Sequence, residues 1–208
     1  MDIKKQLEEI RKQEPKRNFN QTIDLLINLK NFDAKKQENR FVEEVLLPAG
    51  RGKELKVGVI GVNLVVSAKE KADELINEQK LAQIEGDAKA QKVLLRNIDF
   101  FISEPQFMAR IGKSLGKRLG PKGKMPKPLP GTADPKPLIE RLKKTVRVVV
   151  KDAPVINCPI GTEQMKDEDL SKNLEAVLAS VEKRLPNGRQ NIKAAYIKAT
   201  MGKPVKIM

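Results

Sequence analysis

The stretch LKVGVIGVNLVV, from Leu55 to Val66, decides the fold of this chain. Its nearly continuous apolar character is typical of a strand that is buried on both faces of a parallel sheet. Ser67 follows as a predicted N-cap, and Glu70 completes a capping box for a helix that runs to about Gln79. The pattern therefore predicts a strand that leads into a helix, as in layered α/β proteins.

The segments that follow continue this alternation. They are predicted as a helix Asp87–Arg96, a strand Asp99–Ser103, a helix from Pro105 and a helix Leu138–Lys144. Alternating strands and helices indicate a small layered α/β unit, which we assign to residues 52–145.

Patterns of a different kind flank this unit on both sides. From Thr22 to Lys30, buried and solvent-facing positions alternate with the period of a strand that has one buried face. The run from Pro48 to Gly52 has the composition of a turn and marks the boundary between the two kinds of pattern. The simplest organisation is an α/β unit inserted into an α+β outer domain of residues 1–51 and 146–208. The remaining predicted elements of that outer domain are a helix Asp2–Arg11, the strands Arg40–Leu47, Val146–Lys151, Val155–Ile160 and Asn191–Thr200, and a helix Asp167–Leu185.

The composition favours a polyanionic partner and disfavours enzymatic chemistry. Lys and Arg number 41 against 27 Asp and Glu, a net charge of +14, and such a field attracts polyanions. Histidine is absent, which removes the usual general base and the commonest metal ligand, so we expect no catalysis and no metal site. The single cysteine, Cys158, excludes an internal disulfide framework and fits a reducing cytosol.

Two further features narrow the partner to structured RNA. With six Phe, one Tyr and no Trp, the chain has little material for the stacking platforms of single-strand binders. No apolar run approaches the roughly 20 residues that span a bilayer, and the N-terminal segment is charged rather than signal-like. We therefore expect no membrane contact, and recognition of a folded RNA through its shape and backbone.

The basic stretch from Arg110 to Lys151 concentrates the positive charge. It holds 13 Lys or Arg and two acids, so about a fifth of the chain carries +11 of the +14. Backbone N–H groups and cations in such a stretch can approach phosphates closely. Four glycines, Gly112, Gly116, Gly120 and Gly123, alternate there with Lys113, Lys117, Arg118, Lys122 and Lys124.

Neither nucleotide-binding motif that the glycines suggest is complete. Gly112-Lys113-Ser114 resembles the end of an NTPase phosphate loop, but Phe107 stands where the loop requires its first glycine. Gly58 and Gly61 are predicted to lie within a strand, without the third glycine or the turn of a dinucleotide fingerprint. We therefore expect no cofactor.

The C-terminal run from Lys198 to Pro204 ends a strand in small and hydroxyl-bearing residues between lysines. Thr200 is suited to hydrogen-bond a ribose hydroxyl, Gly202 allows close approach of a backbone, and Met201 offers a flat apolar contact. A strand end followed by a Gly-Lys-Pro turn explains the same residues equally well.

Three motifs carry a resemblance to a known family. They are Arg17-Asn-Phe-Asn-Gln-Thr-Ile-Asp-Leu, Leu115-Gly-Lys-Arg-Leu-Gly-Pro-Lys-Gly-Lys-Met-Pro and Tyr196-Ile-Lys-Ala-Thr-Met-Gly-Lys-Pro. In order and spacing they resemble the ribosomal protein L-one family, which builds the mobile stalk of the large ribosomal subunit. The resemblance spans nearly the whole chain, and Lys203 and Pro204 are similar to the archaeal and eukaryotic branch.

The resemblance implies a fold and a function. The fold would be α/β with two domains: a split α+β outer domain, with an antiparallel sheet and helices, and an inserted Rossmann-like three-layer α/β domain. Two strands near Gly50 and Thr145 would permit hinge motion. The function would be non-enzymatic, in cytoplasmic ribosomes: binding of large-subunit ribosomal RNA at the stalk, help in releasing deacylated tRNA from the exit site, and repression of the protein's own mRNA. Away from the ribosome, the protein would be a monomer.

Residues carry over individually onto the matching positions. Phe19, Thr22, Thr200, Met201 and Gly202 match the family's principal RNA contacts. Ala194 stands where many relatives have an RNA-contacting serine, which puts one hydroxyl contact in question. Secondary basic contacts to RNA are expected from Lys117, Arg118, Lys122, Lys124, Lys198 and Lys203.

Charge and resemblance place the principal site differently. Charge alone favours residues 110–151 as the principal RNA site, whereas the resemblance favours the outer domain. We follow the resemblance for the principal site. The basic residues of the inner domain are then expected to add weaker, salt-sensitive contacts to RNA. Two other functions stay open at this point: an α/β enzyme that binds a nucleotide or phosphorylated substrate, and a general nucleic-acid condensing protein. The patterned core argues against the second of these.

Overall fold

The computed structural model of the protein describes residues 3–13, 17–33, 36–151 and 153–208. The predicted helix start at Asp2 lies outside these residues. The helices are α1 (Ile3–Gln13), α2 (Asn63–Ser67), α3 (Glu78–Gly86), α4 (Ala88–Asn97), α5 (Pro105–Ser114), α6 (Gly116–Leu119), α7 (Lys136–Lys143) and α8 (Asp167–Arg184). The strands are β1 (Thr22–Leu29), β2 (Phe41–Leu46), β3 (Val57–Ile60), β4 (Glu74–Ile76), β5 (Phe100–Ser103), β6 (Lys127–Pro128), β7 (Thr145–Val150), β8 (Val155–Thr162), β9 (Ile192–Ala199) and β10 (Val205–Lys206).

The chain separates into two compact units. Unit 1 comprises Met1–Lys53 and Lys144–Met208, and unit 2 is Glu54–Lys143. The predicted insertion, residues 52–145, differs from unit 2 by two residues at each end. No described helix is long and apolar enough to cross a bilayer.

Unit 1 is built on an antiparallel sheet with the strand order β10-β9-β1-β8. Its central strand β1 buries every second side chain, from Ile23 to Leu29, as its alternating sequence predicts. These side chains share one apolar core with residues of α1 and α8, including Leu7 and Leu174. The strands β2 and β7 form a separate antiparallel pair.

Unit 2 contains a parallel sheet with the order β4-β3-β5-β6. One apolar cluster joins this sheet to α3, α4, α5 and α6, and a second cluster joins it to α2 and α7. Because neighbouring side chains of a strand point to opposite faces, both faces of this sheet are covered. The prediction of a strand buried on both sides holds for Val57–Ile60, where all four residues are buried.

The prediction around Leu55–Val66 was wrong in its detail. The strand ends at Ile60, so Gly61 lies after it, and α2 follows at once. Ser67 caps no helix, since its hydroxyl donates to the carbonyl of Asn63 within α2. The next long helix, α3, is capped instead by Asn77, whose side chain accepts from the backbone N–H of Lys80.

A distant carboxylate explains this break. Glu104 is buried, and its Oε1 accepts the backbone N–H groups of Val62, Asn63 and Leu64 at 2.9, 2.8 and 3.0 Å. These bonds satisfy the N–H groups at the start of α2, which have no partner inside the helix. The apolar run cannot reveal such a cap, because Glu104 follows it by about 40 residues.

Candidate nucleic-acid interface

Strand pairing brings the first and last motifs of the chain together. At the start of β1, Thr22 lies opposite Thr162 of β8, and the following Ile23 lies opposite Ala199 of β9. The backbone N–H of Thr200 donates to the carbonyl of Thr22 at 2.9 Å. We use the name strand-end surface for the five predicted RNA contacts: Phe19, Thr22, Thr200, Met201 and Gly202.

The hydroxyl of Thr200 is fixed by its neighbours. Its Oγ1 lies 3.0 Å from the carbonyl oxygen of Thr22 and 3.1 Å from Oδ2 of Asp24. A hydroxyl has one proton, and both of these neighbours are acceptors, so the proton is held within the protein. The lone pairs of Thr200 are left to accept a hydrogen bond from a ligand.

Gln21 links Met201 to the segment that follows β8 through two hydrogen bonds. Its side chain is buried, and Oε1 accepts the backbone N–H of Met201 at 3.3 Å. Its backbone carbonyl accepts the N–H of Glu163 at 2.9 Å, which joins the segment after β8 to the same point. The turn at Gly202 closes with a 2.8 Å bond from its N–H to the carbonyl of Ala199.

Two residues of the strand-end surface have large apolar side chains that are exposed to solvent. Phe19 is 56% exposed and Met201 is 61% exposed. Phe19 also lines an open pocket of about 530 Å³ with Arg11, Arg17, Asn18, Asn20, Glu163 and Gln164. In the same pocket, the guanidinium of Arg11 donates to the carbonyl of Met165 and pairs with Asp167, both at 2.7 Å.

The outer face of β9 continues from this surface. Lys198 lies opposite Asp24, Tyr196 opposite Leu26, and Ala194 opposite Asn28. Lys198 and Tyr196 are half-buried, whereas Ala194 is buried and offers no hydroxyl. Lys203 is exposed in the turn that follows.

The predicted basic contacts of unit 2 differ in their availability. Lys117 and Lys122 are exposed. Arg118 donates to the carbonyl of Ala88 at 2.7 Å. The ammonium of Lys124 lies against the carbonyls of Leu95 and Ile98 and 3.6 Å from Asp99, with its side chain only 18% exposed. Its partners within the protein leave Lys124 the least available of the four.

The positions that suggested nucleotide binding are already occupied by protein groups. The amides that follow β3 bind the carboxylate of Glu104, and a Cβ on Gly61 would lie 2.6 Å from that carboxylate. The hydroxyl of Ser114 lies 3.1 Å from Oε1 of Glu85 and 2.9 Å from the carbonyl oxygen of Arg110, so its one proton is held within the protein. Neither segment presents a free phosphate cradle.

Chemical groups for catalysis are equally scarce. The thiol of Cys158 is buried, and burial raises its pKa to about 12, so it is not a thiolate nucleophile near neutral pH. Among the described residues, no three Asp, Glu, Cys or His side chains are grouped to hold a metal ion. The fold and the surface together define a binding protein of the α/β class, with polar strand ends and an excess of cations.

Comparison with known proteins identifies the family. The model of the Ribosomal protein L1p/L10e family matches residues 8–203. The chain is 43% identical over 209 residues to the large ribosomal subunit protein uL1 of Methanobrevibacter smithii, covering 100% of this chain and 99% of the relative. It is 44% identical to that of Thermococcus kodakarensis, covering 92% and 89%, and 42% identical to that of Pyrococcus abyssi, covering 92% and 88%.

The chain therefore belongs to the Ribosomal protein L1p/L10e family, and its relatives are of the archaeal type. This confirms the resemblance stated from the three motifs. It also confirms the predictions of a non-enzymatic ribosomal protein and of a location on cytoplasmic ribosomes, because relatives that match the chain over nearly its full length are large ribosomal subunit proteins.

Reasoning from sequence missed several residues that hold the predicted RNA contacts in place. Gln21 and Asp24 hold Thr200 and Met201 in place, and Thr162 flanks Thr22. The alternation of β1 was sufficient to place Thr22 and Asp24 on one face. Their partners depend on strand register, which a single sequence does not reveal.

Proposed function

We propose that this protein is a structural component of the large ribosomal subunit that binds ribosomal RNA of the mobile stalk through the strand-end surface. The observation that carries the proposal is the joining of two motifs, 178 residues apart, by the bonds of Thr200 to Thr22. Exposed Phe19 and Met201 supply apolar contact, and the lone pairs of Thr200 suit a ribose 2′-hydroxyl. Lys198 and Lys203 add charge at the same edge.

The same surface suits a second RNA. A segment of the protein's own mRNA that folds like the ribosomal site would bind the same residues, and its occupation would repress translation. The protein would also assist the release of deacylated tRNA from the exit site. These two roles rest on the family resemblance, and the protein would act as a monomer without a cofactor.

The decisive test is a titration of the full chain against stalk RNA and a scrambled RNA of equal length. Met201→Asp places a carboxylate against RNA phosphates, so we expect it to weaken stalk RNA binding at least about tenfold while scrambled RNA binding changes little. Val155→Asp is the matched control, because Val155 is 40% exposed at the opposite end of β8 from Thr162 and the charge change is identical. The mRNA leader should compete with stalk RNA for the wild type.

Equal losses in the two variants would contradict the proposed site. Equal affinity of the wild type for both RNAs, lost steeply with salt, would indicate that net charge alone explains binding.

A further inference from the structure

Many cations of unit 2 are paired with carboxylates. One set of these ion pairs lies around α2, α3, α5 and α7. The pairs are Lys71 with Glu140, Lys80 with Glu74, Lys136 with Glu70, Lys143 with Asp73, and Arg110 with both Glu78 and Glu85.

Six other cations, on two neighbouring segments, have no such partners. They are exposed, and their side chains form no hydrogen bond or ion pair with any other residue that the structure describes. Three belong to α4 and three to the segment from the end of α5 to the turn after α6. We call them the basic surface: Lys89, Lys92, Arg96, Lys113, Lys117 and Lys122.

The two segments of the basic surface lie side by side. Leu95 and Ile98 at the end of α4 share one apolar cluster with Leu115 and Leu119 of the second segment. Three hydrogen bonds fix the contact between the two segments. Arg118 donates to the carbonyl of Ala88 at one end of α4, and Lys124 donates to those of Leu95 and Ile98 at the other.

The arrangement on α4 is costly for the helix itself. Lys89, Lys92 and Arg96 are spaced three and four residues apart, so their like charges share one stripe about 10 Å long. The nearby carboxylates Asp87 and Glu85 form no ion pair with these three side chains. Asp87 accepts the backbone N–H of Lys89 as the helix cap, and Glu85 binds Arg110 and Ser114.

We propose that the basic surface binds the phosphate backbone of double-helical RNA without reading its sequence. A double helix is the anion that matches it, because its phosphates are closely and regularly spaced and release counterions to each cation that contacts them. The inference deepens the proposed RNA-binding function and rests on it, but it uses no residue of the strand-end surface. It adds the α4 stripe to the predicted Lys117 and Lys122.

The salt dependence of binding tests this directly. The full chain is titrated with an RNA duplex of unrelated sequence between about 50 and 200 mM salt. Each phosphate contact contributes about 0.9 to the slope of log K against log salt, so the triple variant Lys89→Gln, Lys92→Gln, Arg96→Gln should lower the slope by about 2 to 3. Removal of like charges from α4 should leave the helix folded.

The matched control is Lys69→Gln, Lys172→Gln, Lys183→Gln, which removes the same charge from three exposed lysines elsewhere. Its slope should fall by less than about 1. The double variant Lys117→Gln, Lys122→Gln tests the second segment and should lower the slope by about 2. An equal fall in the α4 and control triples, or a wild-type slope in both the α4 triple and the double variant, would overturn the proposal.

The proposal for the strand-end surface and the proposal for the basic surface can be disproved independently. Met201→Asp should leave the slope for the duplex unchanged, because Met201 is not part of the basic surface. If Met201→Asp also leaves stalk RNA binding intact, the strand-end surface is wrong while the duplex result still stands.

Discussion

Asn173 shows how a single side chain can secure the frame of the interface. It is fully buried in α8, and its amide donates to the carbonyls of Gly50 and Ile160 at 2.7 and 2.8 Å. Its Oδ1 accepts the N–H of Ala49 at 3.0 Å. One amide thus joins the turn after β2 to β8, close to the strand end at Thr162.

Asn173→Ala should lower the free energy of unfolding of unit 1 by about 3 kcal/mol, since it leaves buried backbone groups without partners. Chemical denaturation followed by far-ultraviolet circular dichroism measures this. Asn157→Ala is the control, because Asn157 is exposed on the same unit and should change stability by less than about 0.5 kcal/mol. A similar loss in both variants would contradict the role of the Asn173 bonds.

At the scale of residues, the family motifs predict Thr22, Thr200 and Met201 as RNA contacts, and that assignment stays a prediction. The structure brings Thr22 and Thr200 into hydrogen-bond contact. Gln21 and Asp24 were missed, because their roles come from bonds across strands rather than from their neighbours in sequence.

At the scale of elements, locally encoded features were predictable and distant ones were not. The alternation of β1 specifies its buried face from neighbouring residues alone. The start of α2 was not predictable, since its cap, Glu104, comes from the end of β5, and the short strand β4 lies in the middle of a predicted helix.

This dependence on a distant cap makes Gly61→Ala informative. The added Cβ would lie 2.6 Å from Oε1 of Glu104, so the carboxylate must leave its three backbone donors or β3 must shift. We expect a loss of about 3 kcal/mol in the stability of unit 2. Gly86→Ala is the control, because an added Cβ there meets no side chain within 4 Å. Near-wild-type stability of Gly61→Ala would refute the importance of the contact with Glu104.

For the whole molecule, the described apolar clusters each draw on one unit only. Residues of the first cluster all belong to unit 1, including Cys158, and the other two clusters lie within unit 2. Destabilisation of one core should therefore leave the other intact. The single cysteine reports on unit 1 alone, since it is buried there.

The chemistry of Cys158 turns this expectation into a measurement. Burial raises the pKa of Cys158 to about 12, whereas the pKa of a cysteine in an unfolded chain is about 8.5. Alkylation at mildly alkaline pH therefore requires unit 1 to open. The raised pKa also means that the contribution of the neutral Cys158 thiol to the stability of unit 1 is fully present below about pH 8.5 and is lost as the pH rises towards 12. In denaturant that unfolds unit 2 of Gly61→Ala, alkylation of Cys158 should stay at the wild-type rate, while Asn173→Ala should accelerate it. Alkylation that instead rises together with the loss of circular dichroism in Gly61→Ala would show that the two cores unfold as one, and that RNA bound to either unit stabilises both.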